Sequence, residues 1–149
     1  MHGAAAANIR QRAEERAPVD LALLLFQAQG EFATLLTGDA KAEDLGPSEV
    51  AALLALARGP TPVSGVARIV GIRPNGASVL VDRLHARGLV ARERSRSDNR
   101  VVRVALTADG EETARRLEAH AEARIESRLS GLTPAEREQL PILLARILS

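Results

Sequence analysis

Apolar residues in the first quarter of the chain return at steps of three and four. Leu21, Leu24, Leu25, Ala28, Phe32, Leu35 and Leu36 fall on one stripe, which predicts a long helix from Asp20 that ends near Gly38. Residues 1–17, alanine-rich and then charged, read as an arm or a frayed helix before Pro18. Gly46-Pro47-Ser48-Glu49 opens a second helix, with proline at the first helical position where its missing N–H costs nothing. Its inward side is read as Val50, Leu53, Leu54 and Ala57, and Gly59-Pro60 stops it. A short third helix covers Ser64 to Val70, with Val66, Ala67 and Val70 inward and Gly71 closing it. A fourth begins at Arg73-Pro74 and runs to about Arg87 before Gly88. Ala77, Leu80, Val81 and Leu84 define its core face, so Asn75, Val79 and Asp82 lie opposite, with Ser78 on the flank.

After Gly88 the period changes to two. Leu89 to Arg94 and Val101 to Leu106 alternate as two strands around a polar turn at Ser95 to Asn99, a hairpin with a basic tip. Thr107 is placed to cap a fifth helix, whose stripe is Ala114, Leu117, Ala121, Ile125 and Leu129. Thr133-Pro134-Ala135-Glu136 has the form of a capping box and starts a last helix with Leu140, Leu143, Leu144, Ile147 and Leu148 on its apolar side. Pro141 inside it is expected to kink it or remove a hydrogen bond.

At 149 residues and 46% hydrophobic content the chain can bury a sizeable core. Phe26 and Phe32 are its only aromatic residues, so that core is built from Leu, Val, Ile and Ala, which suits closely packed helices. The net charge of +1 hides an uneven distribution. Between Arg68 and Arg103 nine arginines stand against Asp82, Glu93 and Asp98, the footprint of a polyanion-binding face.

The absence of cysteine excludes thiolate catalysis, disulfides and Cys-based zinc sites. No serine elbow, phosphate loop or metal-ligand spacing is present, so no catalytic residue, cofactor or metal site is expected. His85 and His120 read as surface histidines, and Glu111, Glu112, Glu118, Glu122 and Glu126 share helices with arginines and read as surface pairing. The uncharged apolar stretch from Leu21 stops at Glu31, too short to cross a bilayer, and Met1 to Ala7 lacks a basic leader. A cytoplasmic protein without a membrane partner is expected.

Two short helices joined at Gly71-Ile72 and followed by a basic ribbon form a helix-turn-helix with a wing. A second helix entering the major groove N-terminus first would bring the small polar residues Asn75 and Ser78 to base edges. The segment from Ser78 to Val90, then Arg92 and the wing from Ser97 to Thr107 with its Asp98-Asn99-Arg100 tip and terminal Leu106-Thr107, resembles the MarR family of transcription regulators. The resemblance extends from about Leu21 to Leu148.

What the resemblance implies is a mainly α fold with a small β-hairpin wing. Residues 1–17 would be an N-terminal arm or helix, 18–44 and 107–149 a helical dimerisation region, and 45–106 the winged helix-turn-helix. Arg73, Pro74, Asn75, Gly76, Ser78 and Val79 would face the major groove of double-stranded DNA. Arg68, Arg83, Arg94, Arg96 and Arg103 would contact phosphates, and Arg100, held by an ion pair to Asp98, would enter the minor groove. The implied function is a homodimeric, sequence-specific repressor on a pseudo-palindromic site, released by a small anionic or phenolic effector whose pocket residues the sequence does not reveal.

The chain departs from the family pattern in its reading head. Pro62 stands where a capping Thr or Ser is common, Gly65 occupies the third position of helix three, and the fourth helix contains Gly76 and Val79, the latter where a polar residue is frequent. A rival reading is a winged domain used only for protein association. It predicts no salt-dependent duplex binding, and the nine arginines argue against it.

Overall fold

The computed structural model describes residues 2–38, 44–95, 97, 98 and 100–149, with side chains from residue 18 onward. The elements are α1 (His2–Thr37), α2 (Pro47–Leu56), β1 (Thr61–Pro62), α3 (Val63–Val70), α4 (Pro74–Ala86), β2 (Val90–Arg94), β3 (Val102–Leu106), α5 (Ala108–Leu129) and α6 (Pro134–Leu148). By contacts the chain divides into two compact units, Met1–Thr34 and Leu35–Ser149.

The first unit is a single helical run. α1 does not break at Pro18 but passes through it, so the N-terminal arm is continuous with the helix that follows. Val19, Leu23 and Phe26 lie exposed along it. The segment Pro18–Thr37, with a mean hydropathy of 1.3, is long and apolar enough to cross a membrane by length and composition. This differs from the reading of an uncharged run cut at Glu31, because the mean over the segment stays high with the carboxylates of Asp20 and Glu31 included. Asp20 and Glu31 nevertheless sit within it, and a charged residue deep in a bilayer costs roughly 3 kcal/mol, which opposes insertion.

The second unit closes around Leu53, Leu84, Val50, Val66, Val81, Val90 and Val104, all fully buried. They come from α2, α3, α4, β2 and β3, with Ala114 and Leu117 of α5 completing the cluster. In α2 the inward set is Val50, Ala52, Leu53 and Leu56, with Leu54 only partly buried and Ala57 exposed beyond the helix end. The expected Leu54 and Ala57 thus give way to Ala52 and Leu56. Gly46 contributes half a capping box, its N–H donating to Glu49 Oε2 at 2.8 Å.

The sheet has three strands in the order β1-β3-β2, antiparallel throughout. β1 was not anticipated. Thr61 and Pro62 pair with Val104 and Arg103, and two residues with a proline carry no alternation to read. In the hairpin Val90 pairs with Leu106, Arg92 with Val104 and Arg94 with Val102.

The corner between wing and α5 is tightly determined. Thr107 Oγ1 accepts the Gly110 N–H at 3.1 Å and donates to the Gly88 carbonyl at 2.6 Å, while the Thr107 N–H donates to the Leu89 carbonyl at 3.1 Å. A Cβ on Gly110 would drive into that same Leu89 carbonyl oxygen. Backbone cannot yield as a flexible side chain does, so Gly110→Ala is expected to cost about 1–3 kcal/mol in urea unfolding. Gly131→Ala, where the added carbon meets open space, serves as the control.

α6 continues through Pro141 from Pro134 to Leu148. Its start is a full capping box: Thr133 N–H and hydroxyl donate to Glu136 Oε2 at 2.8 and 2.9 Å, and Glu136 N–H returns to Thr133 Oγ1 at 3.3 Å. The Thr133 backbone N–H, and then its hydroxyl, hold the Glu136 carboxyl below its ordinary value of 4.5. A carboxyl whose folded value is depressed stabilises fully above 4.5 and loses that contribution as pH falls. Circular dichroism on acidification should therefore show an α6 fraying component below that pH, which Glu136→Gln removes.

Candidate nucleic-acid interface

The local chemistry of α3 and α4 sets the angle between them. Gly71 takes the left-handed conformation, φ 73° and ψ 34°, which a side chain would strain. The next N–H, of Ile72, donates to the Ala67 carbonyl at 3.0 Å and seals the end of α3. Pro62 caps α3 without a side-chain bond, and Arg73 does the same for α4, with Pro74 at its first position.

Burial then fixes which side of α4 faces solvent. Ala77, Leu80, Val81 and Leu84 are buried, and Arg73, Pro74, Asn75, Gly76, Ser78, Val79, Asp82 and Arg83 are exposed. All six residues expected to face the major groove therefore share the free surface at the start of this helix. Ser78 Oγ donates to the Pro74 carbonyl at 3.3 Å. Arg83 Nη1 lies 4.0 Å from Oε1 of Glu49, itself buried at the N-terminus of α2.

The wing joins α4 through an ion pair that sequence reasoning missed. Arg92 Nη2 donates to Asp82 Oδ1 at 2.6 Å. Both residues had been noted, one as outward on the helix and the other as one of the alternating strand residues, but nothing in their spacing of ten marks a pair. The contact makes the outer side of α4 continuous with β2. Val90, Arg92 and Arg94 share one strand face, which closes the core at its inner end and is basic at its outer end.

Not every expected phosphate contact falls on that face. Arg103 pairs across the ribbon with Glu93, one residue out of phase with Arg94, so it belongs to the opposite face. Arg94 and Arg103 still line one cleft of about 440 Å³ with Pro60, Glu93, Ser95 and Ser97. Arg68 is exposed in the last turn of α3. Arg96 lies outside the described residues, as does Asn99.

At the tip the expected ion pair is replaced. Asp98 Oδ1 accepts the backbone N–H of Arg100 at 2.9 Å, an Asx turn, and the Asp98 carbonyl accepts Val101 N–H at 3.0 Å. The carboxylate shapes the loop that presents Arg100 and does not bond its guanidinium among the described contacts. Sequence spacing cannot separate these outcomes, since both place the carboxylate two residues before the arginine. His85 Nδ1 donates to the Val90 carbonyl at 3.0 Å, and no metal-holding group of three ligands occurs among the described residues.

A helix-turn-helix whose second helix is exposed at its polar start and tied to a basic ribbon is a winged helix. Residues 43–100 match the model of the MarR family. The chain is 30% identical over 109 residues to YkoM of Bacillus subtilis, an uncharacterized HTH-type transcriptional regulator, covering 72% of this chain and 71% of that protein. This chain belongs to the MarR family and is a transcription regulator rather than an enzyme. A MarR family regulator from Silicibacter pomeroyi superposes with a TM-score of 0.73 at 28% identity, covering 91% of this chain and 89% of that one. CouR from Rhodococcus jostii, solved bound to p-coumaroyl-CoA, superposes with a TM-score of 0.75 at 26% identity, covering 87% and 92%.

If pairing between the strands positions the wing, the Asp82–Arg92 bridge adds little to stability, because exposed ion pairs are worth at most about 1 kcal/mol. Asp82→Asn should shift urea unfolding by no more than that. A larger loss would make the bridge a structural strut.

Proposed function

We propose that this protein is a homodimeric repressor that binds a pseudo-palindromic duplex site with α4 in the major groove. One observation carries the reading: in a MarR-family chain, the exposed start of α4 holds Asn75, Ser78 and Val79 beside a basic wing. Phosphate contact by Arg68, Arg83, Arg94, Arg96 and Arg103 supplies affinity, Asn75 supplies base selection, and Arg100 enters the minor groove. A cytoplasmic location follows from that task.

Dimerisation is supported by apolar surface that a single chain leaves open. α6 contains no buried residue, and Ile142, Leu143, Ile147 and Leu148 are each at least half exposed. Val19, Leu23 and Phe26 of α1 are likewise exposed. Burying these residues against a second copy is the reason to assign 18–44 and 107–149 to dimerisation and 45–106 to DNA, with 1–17 extending α1 as an arm.

An effector site is supported by a cleft of about 310 Å³ between Leu36, α2 and α5. Its apolar wall is Leu36, Leu54, Ala121 and Ile125, and its polar lining is Arg58 with Glu118, Glu122 and Glu126. Glu118 holds Arg58 at 2.9 Å, and Arg137 pairs with Glu126. An incoming carboxylate would meet excess negative charge, so the phenolic form of effector fits this lining better than the anionic one. Occupation would change the spacing of the reading heads and so release DNA.

Fluorescence anisotropy with cognate and random duplexes over a salt series tests the assignment. Asn75→Ala should cost about 1–3 kcal/mol on the cognate site and little on random duplex. Arg94→Ala should weaken both alike and reduce the log–log salt slope by about 0.9. Equal losses on both duplexes for Asn75→Ala would remove its base-reading role. No salt-dependent binding to any duplex would favour the protein-association adaptor.

A further inference from the structure

We infer that the apolar notch on α4 formed by Gly76, Val79 and Ile72 receives the 5-methyl group of a thymine, with Val79 as the specificity-determining residue. The inference rests on the DNA-binding reading and names what that interface selects.

The glycine supplies the first observation. Gly76 stands in the first turn of α4, where glycine costs about 1 kcal/mol relative to alanine. The fold does not require it. Its φ is not positive, and a Cβ built there meets nothing nearer than Ile72 Cδ1 at 3.8 Å, an ordinary contact. Neither backbone conformation nor internal packing explains the missing side chain, whereas close approach of an outside group does.

The surrounding surface supplies the second. Val79 is one turn further along and 54% exposed. With Ile72, Leu80 and Gly76 it lines a cleft of about 410 Å³ that is predominantly apolar, rimmed by Asn75, Ser48 and Arg83. A lone exposed valine carries no meaning, but one that walls an apolar notch amid groups suited to phosphate and base edges does. Among the groups a B-form major groove presents, the thymine C5-methyl is the apolar one. Arg83 at the rim complements the adjacent phosphate, so charge and apolar character both fit a thymine within duplex DNA.

The test starts from the site preferred by the full chain, obtained by selection from random duplexes. Each thymine is then replaced in turn by deoxyuridine, which deletes only the methyl group. One thymine in each half-site should show an affinity loss of about fourfold, the worth of one methyl removed from water. Val79→Ala should abolish that discrimination between thymine and deoxyuridine. Gly76→Ala should fold with a higher melting temperature, since it restores helix propensity, yet also lose the discrimination by filling the notch. Site-specific binding without any uridine-sensitive thymine overturns the inference and leaves the DNA-binding reading intact, as does discrimination that survives Val79→Ala. Absence of binding to every duplex overturns both.

Discussion

The rotational setting of α4 is the constraint from which the interface follows. Ala77, Val81 and Leu84 retain no exposed surface and Leu80 only 5%, against a core whose other walls are α2, α3 and the hairpin. Each helical residue turns the next by about 100°, so a slip of one position would carry Asp82 into the place of Val81. An unpaired carboxylate there would cost several kcal/mol, and Leu84 would leave the core as well. The outward position of Asn75, Val79 and Asp82 is therefore a consequence of burial on the other side, fixed before any ligand arrives.

A second layer of constraint sets where the wing stands. Register between β2 and β3 sets buried Val90 opposite Leu106 and buried Val104 opposite Arg92, and a one-residue slip of either strand would turn its buried valine away from the core. Thr107 then locks the end of β3 to the turn after α4, through Gly88, and to the first turn of α5. α4, the wing and α5 thus share one corner. The exposed Asp82–Arg92 bridge lies over this frame and orients a long side chain more than it holds the fold together.

Those parts of the fold governed by local pattern were legible beforehand: the core face of α4, the stop at Gly71, the hairpin, and the caps at Thr107 and Thr133. Each depends on residues within one or two turns. What was not legible depends on partners distant in sequence or on alternatives of equal spacing. β1 pairs Thr61 with Val104, a contact without local periodicity. The continuity of α1 through Pro18 contradicts the usual breaking role of proline, and inward Leu56 and Ala52 of α2 reflect what the rest of the core left open. At the candidate site, the sequence marked which residues are outward, whereas Asp98 bonding a backbone N–H and Arg103 facing away from Arg94 required register and loop geometry.

The central claim is that two copies present paired α4 helices to one face of a duplex, and hydroxyl-radical footprinting on a selected site tests it most directly. The account predicts two protected backbone patches related by twofold symmetry, centred about one helical turn, roughly 34 Å, apart. A single patch, or protection without twofold symmetry, would contradict it.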